Sequence, residues 1–289
     1  METSELLKKV RKIEIKTRGL SRNIFAGEYH SAFKGRGMAF SEVREYQPGD
    51  DIRTIDWKVT ARFNHPYIKI FEEERELTIM LIVDVSGSKE FGSEIQLKQE
   101  MVTEIAAVLA FSAIQNNDKI GVIFFSDKIE KFIPPKKGKT HVLRIIRELI
   151  DFEPENKTTD ISEALKYFSN AIKKRCTAFL ISDFIDQGFE NALKASNNKH
   201  DVIALKVYDK RETELPEVGL LKVRDAETGK DIWVDTSSKK VRETFKKSWL
   251  ISSKKLKDLF NKSGVDYAEL RTDQSYVLPL MNLFKKREA

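Results

Sequence analysis

Three short segments combine carboxylates with hydroxyls: Asp84-Val85-Ser86-Gly87-Ser88, Thr158-Thr159-Asp160 and Ser182-Asp183. They offer hard oxygen donors with no sulfur or imidazole nearby, an inventory that suits magnesium or manganese rather than zinc or copper. In the D-x-S-x-S spacing, residues i, i+2 and i+4 of an extended or turning loop can point the same way, so one aspartate and two hydroxyls converge. Gly87 lets the chain turn sharply between the serines. Neutral hydroxyls around an ion leave most of its charge uncompensated, and such an ion attracts a further acidic ligand from another molecule. Asp160, with Glu163 three residues on, fits a helix capping box, which gives Asp160 a structural role.

The elements that must position these segments are legible as buried strands. Leu77 to Val83 is almost wholly apolar and β-branched, as is a strand covered on both faces, and Asp84 follows it. Lys119 to Ser126 and Thr177 to Ser182 repeat the pattern, Asp201 to Val207 adds another strand, and Ile129 to Ile133 reads as an edge strand before Pro134-Pro135. Between them lie helical stretches. One carries the stripe Ile95, Val102, Ile105, Ala106, Leu109 and Ile114, and others span Thr140 to Ile150, Ser162 to Ile172 and Gly188 to Ser196. Such alternation implies an α/β fold, a doubly wound, mostly parallel sheet whose strand ends form the ligand-binding edge. Farther on, Leu220 to Arg224 and Asp231 to Asp235 read as an inserted hairpin around Glu227-Thr228-Gly229-Lys230. A helix from Lys240 to Lys262, a short strand Tyr267 to Leu270 and a helix Leu278 to Lys286 close the chain.

The first 76 residues differ in character. A helical spacing runs over 3–16, and then glycines at 19, 27, 35, 37 and 49 break up short alternating segments such as Met38 to Tyr46 and Tyr67 to Glu72, with a turn at Pro48-Gly49-Asp50. The expected division is 1–76, an N-terminal helix with a β-rich extension, and 77–289, the α/β domain with its hairpin near 220–235.

Composition narrows the function classes. The 289 residues are 40% hydrophobic, with 18 phenylalanines, enough for a substantial core. Lysine and arginine number 51 against 45 acids, a net +6 that is too weak a bias for a nucleic-acid signature. The clusters Lys136-Lys137-Lys139 and Lys173-Lys174-Arg175 read as solvated surface. No apolar run is long enough to span a membrane, and Met1 to Arg11 lacks the apolar stretch of a signal peptide. Cys176 alone forms no internal disulfide and, beside a buried strand, reads as inert packing. With the scattered His30, His65, His141 and His200, which read as surface or loop residues, it argues for a reducing, cytoplasmic setting and against zinc.

The D-x-S-x-S segment with a later threonine and aspartate resembles the metal-ion-dependent adhesion site of von Willebrand factor A-like domains. The resemblance implies that Ser86, Ser88 and Thr159 are inner ligands, that Asp84 and Asp183 hold the ion directly or through water, and that a partner's Asp or Glu completes the shell. Members often carry glycines before the threonine, where this chain has Asn156, Lys157 and Thr158. The ligand is therefore Thr159 or Thr158, and Lys157 stands where it tunes or opposes metal binding. Upstream, Gly35 to Tyr46, Gly49 to Trp57, Thr60-Ala61-Arg62 and Phe71 to Glu74 are similar to the bacterial domain-of-unknown-function family 58, whose members carry a von Willebrand A-like domain. The match covers roughly residues 20 to 210. Members are often encoded beside MoxR-type AAA+ ATPases, which implies such an ATPase as partner and a chaperone-like, complex-maturation role.

Enzyme motifs mostly fail. Gly138-Lys139-Thr140 has Ile133 where a phosphate-binding loop needs glycine, Ser86 lacks the leading glycine of a nucleophile elbow, and Gly35-x-Gly37 ends in Phe40. The runner-up reading is a metal-dependent phosphatase with Asp84 as nucleophile, weakened by Ser86 where those enzymes place a second aspartate. Asp50, Asp51, Arg53, Asp56 and Arg62 read as an ion-pair network fastening the N-terminal unit to the sheet. The overall expectation is a magnesium-dependent protein-interaction module without catalytic activity.

Overall fold

The computed structural model describes residues 39–72, 77–86, 98–154, 158–224 and 231–288. The helix expected over 3–16, Ser88, Lys157, His30 and the hairpin tip at 227–230 lie outside them. Two compact units emerge, residues 33–77 and a larger one that includes 78–288.

In the smaller unit, β1 (Ala39–Glu45) pairs antiparallel with β2 (Tyr67–Glu72). Between them lie a 3-10 turn, Ile52–Thr54, and α1 (Trp57–Phe63), a helix that the alternating pattern did not reveal. Its start is written in Asp56, whose carboxylate accepts from the Lys58 and Val59 amides, and Asn64 at φ 56° ends it. Three of the charges expected to fasten this unit to the sheet, Asp50, Asp51 and Asp56, have local partners. The Arg44 guanidinium donates to both oxygens of Asp50 at 2.8 Å, Asp51 caps the 3-10 turn, and Asp56 also pairs with Lys69 at 3.5 Å. The Arg44 charge and the Gln47 amide hold Asp50 below the usual carboxylate range.

The larger unit is built on six strands: β3 (Thr78–Asp84), β4 (Lys119–Phe125), β5 (Ile129–Lys136), β6 (Thr177–Ser182), β7 (Asp201–Tyr208) and β10 (Asp266–Arg271). Their order is β10-β7-β6-β3-β4-β5, all parallel except the β4–β5 edge pair. β8 (Leu220–Arg224) and β9 (Asp231–Asp235) form the inserted antiparallel hairpin. The helices are α2 (Lys98–Gln115), α3 (Lys139–Asp151), α4 (Ile161–Ala171), α5 (Glu190–Lys199), α6 (Lys210–Thr213), α7 (Lys239–Lys262) and α8 (Val277–Glu288).

The strands are buried on both faces, which is why they read as continuous apolar runs. Met80, Ile82, Ala178 and Leu180 pack with Leu165 and Phe168 of α4, Leu193 of α5 and Phe260 of α7. The opposite face of β6 meets α8, where Phe179 stacks edge-on against Phe284 at 6.3 Å. α2 is buried over most of its surface, so its stripe widens to take in Met101, Ala107, Val108, Ala110, Phe111 and Ala113.

His200 departs from its expected surface position. It is fully buried at the end of α5, with its ring 4.4 Å from that of Phe168 and Nδ1 3.5 Å from Cys176 Sγ. Burial pulls the imidazole down to about 4 and pushes the Cys176 thiol up to about 12, which keeps the thiol inert. His141 likewise sits in the first turn of α3, with Nε2 2.9 Å from the Ile120 carbonyl oxygen. The need for glycine is sharpest at Gly121 in β4. A Cβ there would meet the Ile133 carbonyl oxygen, Met80 Sδ and the Pro135 nitrogen, all at 2.8 Å.

Two outcomes follow. Gly121→Ala forces the β4–β5 edge apart and costs about 1–3 kcal/mol in urea unfolding. Because His200 charges less readily when folded than its ordinary 6.5, its contribution is present above that value and is lost as pH falls toward about 4. Thermal melts across this range should show a loss that a His200→Gln variant lacks.

Candidate metal centre

The apolar run of β3 ends at Asp84, which is only 5% exposed. Its Oδ1 accepts the Ser86 amide at 3.0 Å, a turn that the aspartate makes with its own backbone two residues on. Its Oδ2 accepts the Ser182 hydroxyl at 2.7 Å. Register explains the second bond: Val83 stands opposite Ile181, so Asp84 and Ser182 end their strands at one level. Connections leave β3 and β6 in opposite directions along the sheet, and this is the switch point at which open α/β sheets hold ligands.

After β6 the chain is bent hard. Ser182 Oγ accepts the Phe184 amide at 3.0 Å, and Asp183 Oδ1 accepts the Ile185 amide at 3.2 Å. Phe184 has φ 59°, a left-handed conformation that a bulky residue rarely adopts, and its ring is held by Phe260 at 5.1 Å and Phe189 at 6.1 Å. The backbone here is fixed by its aromatic anchor, with Asp183 on one side and the exposed Ile185 on the other.

The third segment is tied to both strands. The Asp160 amide donates to the Ser126 carbonyl at the end of β4, Asp160 Oδ1 accepts the Glu163 amide as the expected cap, and the Ile161 amide donates to Asp186 Oδ2 at 2.8 Å. Thr158 is exposed, whereas Thr159 is half-buried and lines a cleft of about 1380 Å³ together with Asp183, Ile185, Lys206, Glu212 and Trp249.

The electrostatics are unusual for a protein interior. Burial, and next the negative charge of Asp183, push the Asp84 carboxyl up to about 6. Asp183 Oδ2 is met by the ammonium of Lys98 at 2.9 Å, and the same ammonium lies 2.6 Å from Glu212 Oε1. Lys98 is 4% exposed. Burial disfavours its charge, but Asp183 and Glu212 outweigh burial and hold it above the ordinary lysine value. Burial raises Glu212, and Lys98 opposes that rise.

Of the residues expected at the site, Asp84, Ser86 and Asp183 thus meet at adjoining strand ends and Thr159 shares the cleft with Asp183. Lys98, Glu212, Ser182 and Asp186 were not anticipated in these roles. Lys98 carries a sequence signal: it falls on the apolar stripe with Val102, Ile105 and Leu109, where a lysine needs a buried partner. The donor set is two carboxylates and hydroxyls. Among the described residues, no three His, Cys, Asp or Glu side chains cluster to hold a metal. The residues still offer the hard oxygen donors a divalent cation takes, two carboxylates and hydroxyls, with Lys98 as the cation now beside Asp183.

Residues 42–255 match the family described as "Protein of unknown function DUF58". The chain belongs to that family. It is 26% identical to the uncharacterized protein Rv1480 of Mycobacterium tuberculosis over 99% of this chain and 91% of that one. A crystal structure of an aerotolerance-related membrane protein from Bacteroides fragilis matches 73% of this chain and 98% of its own, at 16% identity and a TM-score of 0.50. The SpRpn10 VWA domain aligns over 73% of this chain and 94% of that one, at 12% identity and a TM-score of 0.37. No described helix is long and apolar enough to cross a membrane.

Ser182→Ala removes the donor to Asp84 and leaves the buried Phe184 amide unsatisfied. It should cost about 1–3 kcal/mol in urea unfolding, whereas Thr158→Ala on the exposed neighbour should cost little.

Proposed function

We propose that this protein is a divalent-cation-dependent protein-interaction module, with Asp84, Ser86, Ser88, Thr159 and Asp183 holding magnesium or manganese. The observation that carries the reading is the convergence of Asp84 and Asp183 at the switch point, with Asp84 pushed up to about 6 by burial and by Asp183. When bound, the ion would supply a hard Lewis-acid position for a carboxylate of a partner. The chain's own groups set that position. Ser182 and the Ser86 amide orient Asp84, the Ile185 amide orients Asp183, and Asp186 ties the Thr159 segment to the end of β6. Ile185, 58% exposed, adds an apolar contact at the rim.

A role for Asp84 as nucleophile is the weaker reading, since Ser86 stands where a phosphatase needs its acid–base partner. By family resemblance the partner is a MoxR-type AAA+ ATPase or one of its clients, in a cytoplasmic, chaperone-like role in complex maturation. The buried, unpaired Cys176 agrees with a reducing setting.

Magnesium at a hundredfold excess over its Kd should stabilise the wild type by about 2.7 kcal/mol, read as a higher melting temperature. Asp84→Ala should abolish the shift. Capture of the partner should fail with chelator and in the Ser86→Ala, Ser88→Ala double variant. Turnover of generic phosphoesters that Asp84→Ala removes would overturn the reading in favour of the phosphatase.

A further inference from the structure

We propose that Lys98 is a built-in counter-cation that competes with the divalent ion for Asp183, and that Glu212 is where its ammonium retires when the ion binds; this rests on the metal-site reading above. Lys98 reaches across 85 residues of sequence to place its ammonium 2.9 Å from Asp183 Oδ2. The other oxygen, Oδ1, accepts the Ile185 amide, so both oxygens of Asp183 are engaged by the chain itself. A cation recruiting Asp183 must share or displace the lysine. The cost of displacement is large for a buried ammonium left alone, since an unpaired charge in the interior is far more expensive than a paired one.

Glu212, in the short helix after β7, removes that obstacle. It lies 2.6 Å from the same ammonium, so Lys98 released from Asp183 stays paired. The Lys98–Glu212 contact is a close ion pair at 2.6 Å, against 2.9 Å to Asp183. The Lys98–Asp183 contact is an aligned hydrogen bond. An ammonium already seated against Glu212 keeps a charged partner when it gives up the bond to Asp183, which offsets part of that loss. Two acids flanking one ammonium give it two stations, and the divalent ion claims the one at Asp183.

Isothermal calorimetry with magnesium chloride and with manganese chloride, on the full chain freed of metal by chelator, tests the device. Lys98→Met should tighten binding about tenfold or more, because Asp183 is left without its cation. Glu212→Gln should weaken it, because Lys98 then depends on Asp183 alone. Should Lys98→Met fail to fold with two unpaired acids, the double variant Lys98→Met, Glu212→Gln removes one charge of each sign. It should bind more tightly than wild type. Equal affinity in wild type and the double variant, or loss of binding without Lys98, overturns the competition while leaving the metal reading intact. Absence of any Asp84-dependent binding in all variants overturns both.

Discussion

Two carboxylates buried at one edge of a parallel sheet are the constraint around which this molecule is arranged. A sheet covered on both faces by helices leaves little water along its central strands, and the acids that follow the apolar runs of β3 and β6 stand at the strand ends. There they still pay for lost hydration unless bonded or paired. Asp84 meets this with the Ser182 hydroxyl and the Ser86 amide, and Asp183 with the Ile185 amide and the Lys98 ammonium. The compensation is incomplete at Asp84, which burial and Asp183 push up to about 6. A fold selected for stability alone has little reason to keep two acids so placed. On the proposed reading, acids so placed serve a site rather than a core.

The sheet order makes the convergence possible. β3 sits at the centre with β4 on one side and β6 on the other, and the chain leaves these strands toward opposite edges. The segment after β6 is held by Phe184, whose ring is packed between Phe189 and Phe260 while its backbone adopts φ 59°. Apolar burial on the α7 side thereby sustains a backbone conformation on the site side. The Asp186 bond to the Ile161 amide carries the same rigidity into the start of α4, and thus to Thr159 two residues before it.

The parts of this architecture legible in the residues are those with a local signature. β3, β4 and β6 announce themselves as apolar runs because both of their faces are covered, and Asp160 announces α4 because a cap and its amide are three residues apart. α1 was hidden because seven residues, Trp57 to Phe63, are too few to establish a period against the alternating segments around them. His200 was misjudged since nothing in its neighbourhood records the Phe168 ring and Cys176 thiol that enclose it. Of the acidic site, the D-x-S spacing was visible, but Lys98, Glu212 and Asp186 act across gaps of tens of residues, where only the folded chain defines proximity.

Lys98 also bears on what the site can recognise. With one lysine bound to Asp183, the acids nearest a cation at this edge are partly neutralised before the cation arrives. On the proposed reading the remaining ligands, Ser86, Ser88 and Thr159, are neutral. An ion held by few effective negative charges keeps a strong demand for another, and a carboxylate from a second molecule is the group that meets it. On the proposed reading the internal ammonium lowers the hold of the chain on the ion by competing for Asp183, while the neutral hydroxyl ligands leave much of the ion's charge for a partner. Weak retention then follows from one buried lysine, and avid capture from the hydroxyls around the ion.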